Sequence, residues 1–220
     1  MDHYEGFPPH FFERADATPD TEFYRPPRLV THIDAGAIAA VGDLYAELGL
    51  TGPVRVLDLM SSWISHFRTP PDELIALGLN AVELDANPAA TERIVHDLND
   101  DPRIPLPDRA VDAVVCCVSI DYLVHPIEVL AEAGRVLRPG GTLAVTYSNR
   151  CFPTKAVRGW LSLDDAGRGE LIAQLLRRTG RFGPARIELR TPSRAPGDPL
   201  WAVTATALPP GNGVDPQAAA

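Results

Sequence analysis

No stretch of this sequence approaches the ~20 consecutive apolar residues that a bilayer-spanning helix needs, so no membrane span is expected. A Gly-x-Gly-x-x-Gly turn is missing as well, which argues against a nicotinamide-dependent oxidoreductase. There is no basic block: 20 Lys and Arg stand against 29 Asp and Glu, a net charge of −9. Affinity for a phosphate backbone rests on cations that displace counterions, so nucleic acid is not expected as a partner. Cysteine is scarce. Cys116, Cys117 and Cys151 are odd in number, and two are adjacent in an apolar run, which makes no disulfide framework. No Cys/His spacing suggests a metal site, and reduced thiols in a cytoplasmic protein are the simpler expectation. The opening segment, MDHYEGFPPH, is acidic and aromatic, unlike a signal or transit peptide.

What is present is the composition of a packed globular chain: 45% hydrophobic and 22% charged over 220 residues, a length that suits one domain. Proline is abundant and clusters near the ends. Residues 1–33 form an arm in which Pro8, Pro9, Pro19, Pro26 and Pro27 interrupt regular structure while Phe7, Phe11, Phe12, Phe23 and Tyr24 need something to pack against. Such an arm is a surface wrap or a lid over a site. Residues 208–220 have little to bury, and a disordered tail is expected.

Residues 34–207 read as the folded domain. Asp34 caps a helix over Ala35–Leu48. Strands are expected at Val54–Leu59, Glu73–Leu79, Arg93–Leu98 and Val111–Val118; the last is apolar throughout, as in a strand covered on both faces. Pro126 opens an amphipathic helix to Leu137. Arg138-Pro139-Gly140-Gly141 reads as a stop and a tight turn before a strand at Thr142–Ser148. A helix over Asp164–Thr179 closes at Gly180, and strands follow at Ala185–Arg190 and Leu200–Ala207. This alternation predicts an α/β fold: a doubly wound, Rossmann-like sheet, mainly parallel, with an antiparallel C-terminal edge.

Ligands of such sheets bind past the carboxyl ends of the central strands. The first end reads Val56-Leu57-Asp58-Leu59, followed by the small residues Ser61 and Ser62. The third ends in Asp97-Leu98. The fourth and its sequel read AVDAVVCCVSIDYLVHP, and RVLRPGGTL follows. In this order and combination the segments resemble the class I S-adenosylmethionine (SAM) dependent methyltransferases, over about residues 54–150. VLDLMSSWISHF, GLNAVELDANP and SNRCFPTKAV further resemble a type-11-like branch. The departure is the loop after the first strand, where the family has glycines and this chain has Met60, Ser61 and Ser62.

The resemblance implies SAM as cofactor, S-adenosylhomocysteine as product, and methyl transfer. It places Asp58, Ser61 and Ser62 beneath the methionine part, Asp97 on the adenine amino group with Leu98 beside the ring, and Ser119 past the fourth strand. For the ribose, two alignments compete. If Val82-Glu83-Leu84-Asp85 ends the second strand, Asp85 is the ligand. If Gly78-Leu79-Asn80 ends it, Asn80 is the ligand, with Glu83 one helical turn on; spacing and the cap favour Asn80. Tyr122 and His125 follow the fourth strand, where an acceptor approaches, and His125 is the candidate base. Asn149, Arg150 and Lys155 follow the fifth and can hold a polar or anionic acceptor. Many methyl transfers need only in-line positioning. A small-molecule acceptor is expected; the alternative is a SAM-binding regulatory protein that has lost catalysis.

Overall fold

The computed structural model describes residues 3–192 and 196–209. Its elements are α1 (Asp20–Phe23), α2 (Ala35–Glu47), β1 (Gly52–Leu59), β2 (Pro71–Gly78), α3 (Ala81–Ala86), β3 (Glu92–Val95) and β4 (Val111–Cys117). After these come α4 (Pro126–Val136), β5 (Leu137–Tyr147), α5 (Arg158–Leu161), α6 (Asp165–Thr179), β6 (Arg186–Leu189) and β7 (Trp201–Thr206). The sheet order is β3-β2-β1-β4-β5-β7-β6. The first five strands are parallel. β7 runs antiparallel between β5 and β6. This is the expected doubly wound sheet with an antiparallel edge.

Side-chain alternation along the central strands sorts two cores. Leu57, Leu59, Val114, Cys116, Leu143 and Val145 pack under α4 and α6. Val56, Ala113, Val115 and Ala144 pack under α2. Capping residues set the helices: Asp34 accepts from the Ala37 N–H (2.8 Å), Asp164 accepts from the Gly167 N–H (2.8 Å), and Gly180 ends α6 at φ +63°, where a side chain would be strained.

The structure corrects two local expectations. Arg138–Gly141 is not a turn ahead of the fifth strand. β5 already begins at Leu137, and the register slips between its pairings with Val111 and Ala113. The four residues form an irregular stretch within the strand, with Gly140 at φ +82°. The third strand is shorter than its apolar pattern implied, ending at Val95, so Asp97 and Leu98 lie in the loop beyond it. The tail expected to be disordered lies outside the described residues from position 210; Leu208 still donates its N–H to the Arg181 carbonyl (2.8 Å).

One departure bears on the site. Parallel neighbours are usually joined by a helix, yet residues 60–70 connect β1 to β2 without one. The segment instead lies against α2. Phe67 packs at a tilt against Tyr45, ring centroids 4.6 Å apart, and a Cβ on Gly42 would come within 3.2 Å of the His66 carbonyl oxygen.

Candidate active site

The carboxyl ends of β1, β2, β4 and β5, with the loop after β3, open into a cavity of about 380 Å³, within the range of small-molecule sites. Residues 20–33 pass over it.

One half is built on β1–β3. Asp58 ends β1 fully buried and accepts from the Ser61 hydroxyl (2.7 Å). Burial pushes its carboxyl up to about 6, against the hydrogen bonds of Ser65 and Ser61 that hold it down. Met60 adopts the left-handed conformation (φ +55°) that glycine usually supplies. The Ser61 N–H donates to the Leu77 carbonyl (2.7 Å). Its own carbonyl passes so close to Gly78 that any Cβ there would collide with it. The close approach that a glycine-rich loop would provide is supplied by a glycine in the strand it crosses.

At the end of β2, residues 82–85 are helical, which excludes the strand alignment through Asp85; that carboxylate is 80% exposed, 3.7 Å from Arg93. Asn80 caps α3. Its carbonyl accepts from the Val82 and Glu83 N–H groups, and its amide donates to the Tyr24 and Arg25 carbonyls. All its hydrogen-bonding groups are thus engaged. Glu83, a turn later, is 8% exposed and lines the cavity. It accepts from the Ser62 hydroxyl (2.5 Å) and from the Arg28 N–H (2.6 Å). A carboxylate has about four lone-pair sites, so Glu83 keeps capacity for a ligand. Asp97 and Leu98 also line the cavity. Asn99 braces this end, donating to Asp20 (2.8 Å) and to the Tyr122 carbonyl (2.9 Å). Ser119, past β4, donates to the Cys117 carbonyl (2.6 Å).

The other half is aromatic. Tyr122, Phe152, Tyr24 and His32 line it. Tyr122 accepts from the Phe152 N–H (2.9 Å), and burial raises its phenol far above the usual range. Asn149 and Arg150 stand exposed at the rim. Beneath this wall Asp121 is buried, with Oδ2 unpartnered, and burial pushes its carboxyl up to about 7. The Tyr24 hydroxyl is likewise buried without a hydrogen-bond partner among the described residues.

Asp58, Ser61, Ser62, Asn80, Asp97, Leu98, Ser119, Tyr122, Asn149 and Arg150 are therefore brought to one cavity. His125 is not. It sits exposed at the start of α4, outside the cavity lining, and its side chain makes no capping bond. Lys155 also departs from expectation. It is fully buried, donates to the Thr18 carbonyl (2.6 Å) and lies 3.3 Å from Asp20. Asp20 in turn takes Arg14 at 2.7 Å. Lys155 pins the N-terminal arm instead of holding a ligand. Sequence reasoning did not assign Asn99 or Asp20, whose spacing carries no motif. Arg28 fell within the arm, residues 1–33, read as a wrap or a lid, and Glu83 was placed only as a neighbour of the ribose site.

A match to the methyltransferase domain family covers residues 70–145. The chain is 29% identical over 129 residues to the malonyl-[acyl-carrier protein] O-methyltransferase of Marinomonas sp., covering 56% of this chain and 44% of that protein. It is 36% identical over 84 residues to an uncharacterized methyltransferase of Mycobacterium tuberculosis, covering 35% and 34%. The chain thus spans less than half the length of these curated relatives. Similar solved structures include a SAM-dependent methyltransferase from Aquifex aeolicus (TM-score 0.57, 18% identity, 80% of this chain and 95% of that one). The [4+2]-cyclase SpnF is similar to the same degree (TM-score 0.58, 18% identity, 83% and 89%).

Proposed function

We infer that this chain, which belongs to the class I SAM-dependent methyltransferases, binds SAM along the ends of β1–β3 and transfers its methyl group to a small-molecule acceptor at the ends of β4 and β5. One observation carries the reading: a single roofed cavity has buried or half-buried carboxylates at three successive strand ends on one side and an aromatic wall on the other.

The donor set fits the cofactor. Glu83 retains acceptor sites for a ribose diol, and Asn80 serves it by capping α3 and tying down residues 24 and 25. Asp97 takes the adenine amino group, beside buried Leu98. Ser61 and Ser62, with Asp58 behind them, meet the methionine end, where their small side chains leave the backbone accessible. Ser119 closes the floor. When bound, SAM supplies a methyl group on a sulfonium sulfur. The chain's own contribution is alignment and exclusion of water, which together account for much of the acceleration of such transfers. The Tyr24 and Tyr122 phenols, raised by burial, are poor bases, and His125 stands outside the cavity.

The roof formed by residues 20–33 favours a small acceptor over a polymer, and the net charge of −9 disfavours nucleic acid. Three free cysteines suit a reducing, cytoplasmic setting. Among the described residues no helix is long and apolar enough to cross a membrane. The test is calorimetry with S-adenosylhomocysteine on the wild type, Glu83→Gln and Ser61→Leu, followed by a homocysteine-release assay on small carboxylates, thiols and amines. Normal affinity in both variants would place the cofactor elsewhere.

A second reading, cofactor binding without methyl transfer, is favoured by the glycine-free loop and by the likeness to a cyclase, since one fold hosts several reactions. Cofactor binding with no turnover across the panel selects it.

A further inference from the structure

The aromatic half of the cavity contains a guanidinium without a carboxylate partner. Arg28 lines the cavity from the overlying arm. Its Nη2 donates to the Phe23 carbonyl (2.9 Å), while Nη1 is buried with no acceptor among the described residues. The group lies 4.7 Å from the Phe23 ring, 5.6 Å from Tyr24 and 5.5 Å from Phe152. These faces hold the charge in place without satisfying its N–H groups. Among the described residues no ion pair includes Arg28. Buried charged donors in native proteins nearly always have an acceptor, so a missing one points to a ligand atom.

The surroundings define that ligand. Tyr24, Tyr122, Phe152 and His32 form a continuous wall. Tyr122 is 6.1 Å from Phe152 and tilted by 35°, Tyr24 is 6.5 Å from Tyr122, and His32 stands edge-on to Phe152 at 5.3 Å. Burial lowers the His32 pKa, leaving Arg28 as the inner wall's cation near neutral pH; Arg150 is on the exposed rim. A planar guanidinium matches a planar carboxylate with two parallel hydrogen bonds. Asp58, Glu83 and Asp97 across the same small cavity repel any anion, and a phosphate dianion, with twice the charge, more strongly than a carboxylate. Asp20 is already paired with Arg14 and Lys155, so it offers no free charge for an amine.

We propose that the acceptor is an aromatic carboxylate, its anionic group anchored by Arg28 and its ring packed between Tyr24, Tyr122 and Phe152; a hydroxyl on that ring takes the methyl group as the methyl–sulfur bond breaks, its proton passing to solvent and S-adenosylhomocysteine leaving. This rests on the methyl-transfer reading, since it assigns the acceptor half of that cleft. It is tested by calorimetry and ligand-observed NMR on the full chain, with and without saturating S-adenosylhomocysteine. The probes are 4-hydroxybenzoate and cinnamate, their amides, cyclohexanecarboxylate, benzylamine and phenyl phosphate. The aryl carboxylates should bind about ten-fold tighter than their amides, the value of a charge-assisted pair. Arg28→Gln should erase that preference while leaving S-adenosylhomocysteine affinity within about two-fold. Phe152→Leu should reduce the aryl-over-cyclohexyl preference and keep the carboxylate-over-amide one.

Equal binding of acids and amides, tighter binding of the amine or the phosphate, or no probe binding at all overturns the proposal. So does a loss of S-adenosylhomocysteine affinity in Arg28→Gln, which would assign the arginine to the cofactor. If Arg28→Gln fails to fold, the wild-type acid/amide comparison and Phe152→Leu still decide. If S-adenosylhomocysteine does not bind the wild type, the methyltransferase reading falls, and the probes alone still report on Arg28.

Discussion

The two halves of the cleft are built in opposite ways. On the β1–β3 side each group sits at or just beyond the end of its own strand and takes part of its support from neighbouring residues, although the arm adds the Arg28 N–H to Glu83 (2.6 Å). Ser61 steadies Asp58 (2.7 Å), Asn80 caps the helix that carries Glu83, and Asn99 donates its N–H to Asp97 (2.9 Å). On the β4–β5 side the wall is assembled from distant parts of the chain: Tyr122 and Phe152 from two loops, Tyr24, Arg28 and His32 from the arm. The buried carboxylates show the same contrast. Asp58 has two hydroxyls that partly offset its burial, whereas Asp121 has an oxygen with no hydrogen-bond partner among the described residues. A ligand common to a whole family can be held by local, repeatable contacts. A ligand particular to one protein is met by whatever packs over the opening.

Breaking the arm's anchor should have the largest effect. Lys155→Ala removes a fully buried cation from between Asp16 and Asp20 and should cost about 3–5 kcal/mol in urea denaturation, nearer the lower end because Arg14 still pairs with Asp20. Proteolysis within residues 3–33 should rise with it. Unchanged stability would show that the aromatic cluster of Tyr4, Phe7, Phe11 and Phe12 holds the arm alone.

The Asp121 orphan should appear as a pH dependence. Its carboxyl is pushed from 3.8 to about 7 in the folded protein, so the native state holds the proton more tightly than the unfolded chain. Its contribution is therefore greatest below pH 4 and is lost as pH rises toward 7. The loss is at most about 4 kcal/mol. Asp121→Asn should remove this component, so the variant gains on the wild type as pH is raised from 5 to 8. Parallel stability curves for the two proteins would mean that water already satisfies the carboxylate.

On the cofactor side, Asp97→Ala should weaken SAM binding by about 1.5–3 kcal/mol, the worth of a hydrogen bond to a charged group. Unchanged affinity by calorimetry puts the adenine elsewhere. The smallest effect is expected from His125→Ala. The side chain caps nothing and lies outside the cavity, so stability should move by less than about 0.5 kcal/mol and homocysteine release should be unaltered. A large loss of turnover would return His125 to the chemistry.

The sequence by itself determined the sheet, its helices and most of the residues that gather at the ends of β1–β3. Hydrophobic periodicity, Asp34, Pro126 and Gly180 act within a few residues, and motif positions such as Asp58 and Asp97 lie at strand ends that the same periodicity locates. That the second strand ends before Asn80 and does not run through Asp85 was legible too, through the cap that starts α3. Tertiary structure alone decided the rest. Gly78 is required because a loop 17 residues earlier crosses it, and no local pattern records that approach. Lys155 read as a holder of the acceptor until the arm buried it, and His125 read as a candidate base until α4 turned it to solvent. Arg28 became part of a site only when the arm folded over β4 and β5. A side chain's chemical role depends on which desolvated surface it meets, and that is settled by contacts between segments far apart in the chain.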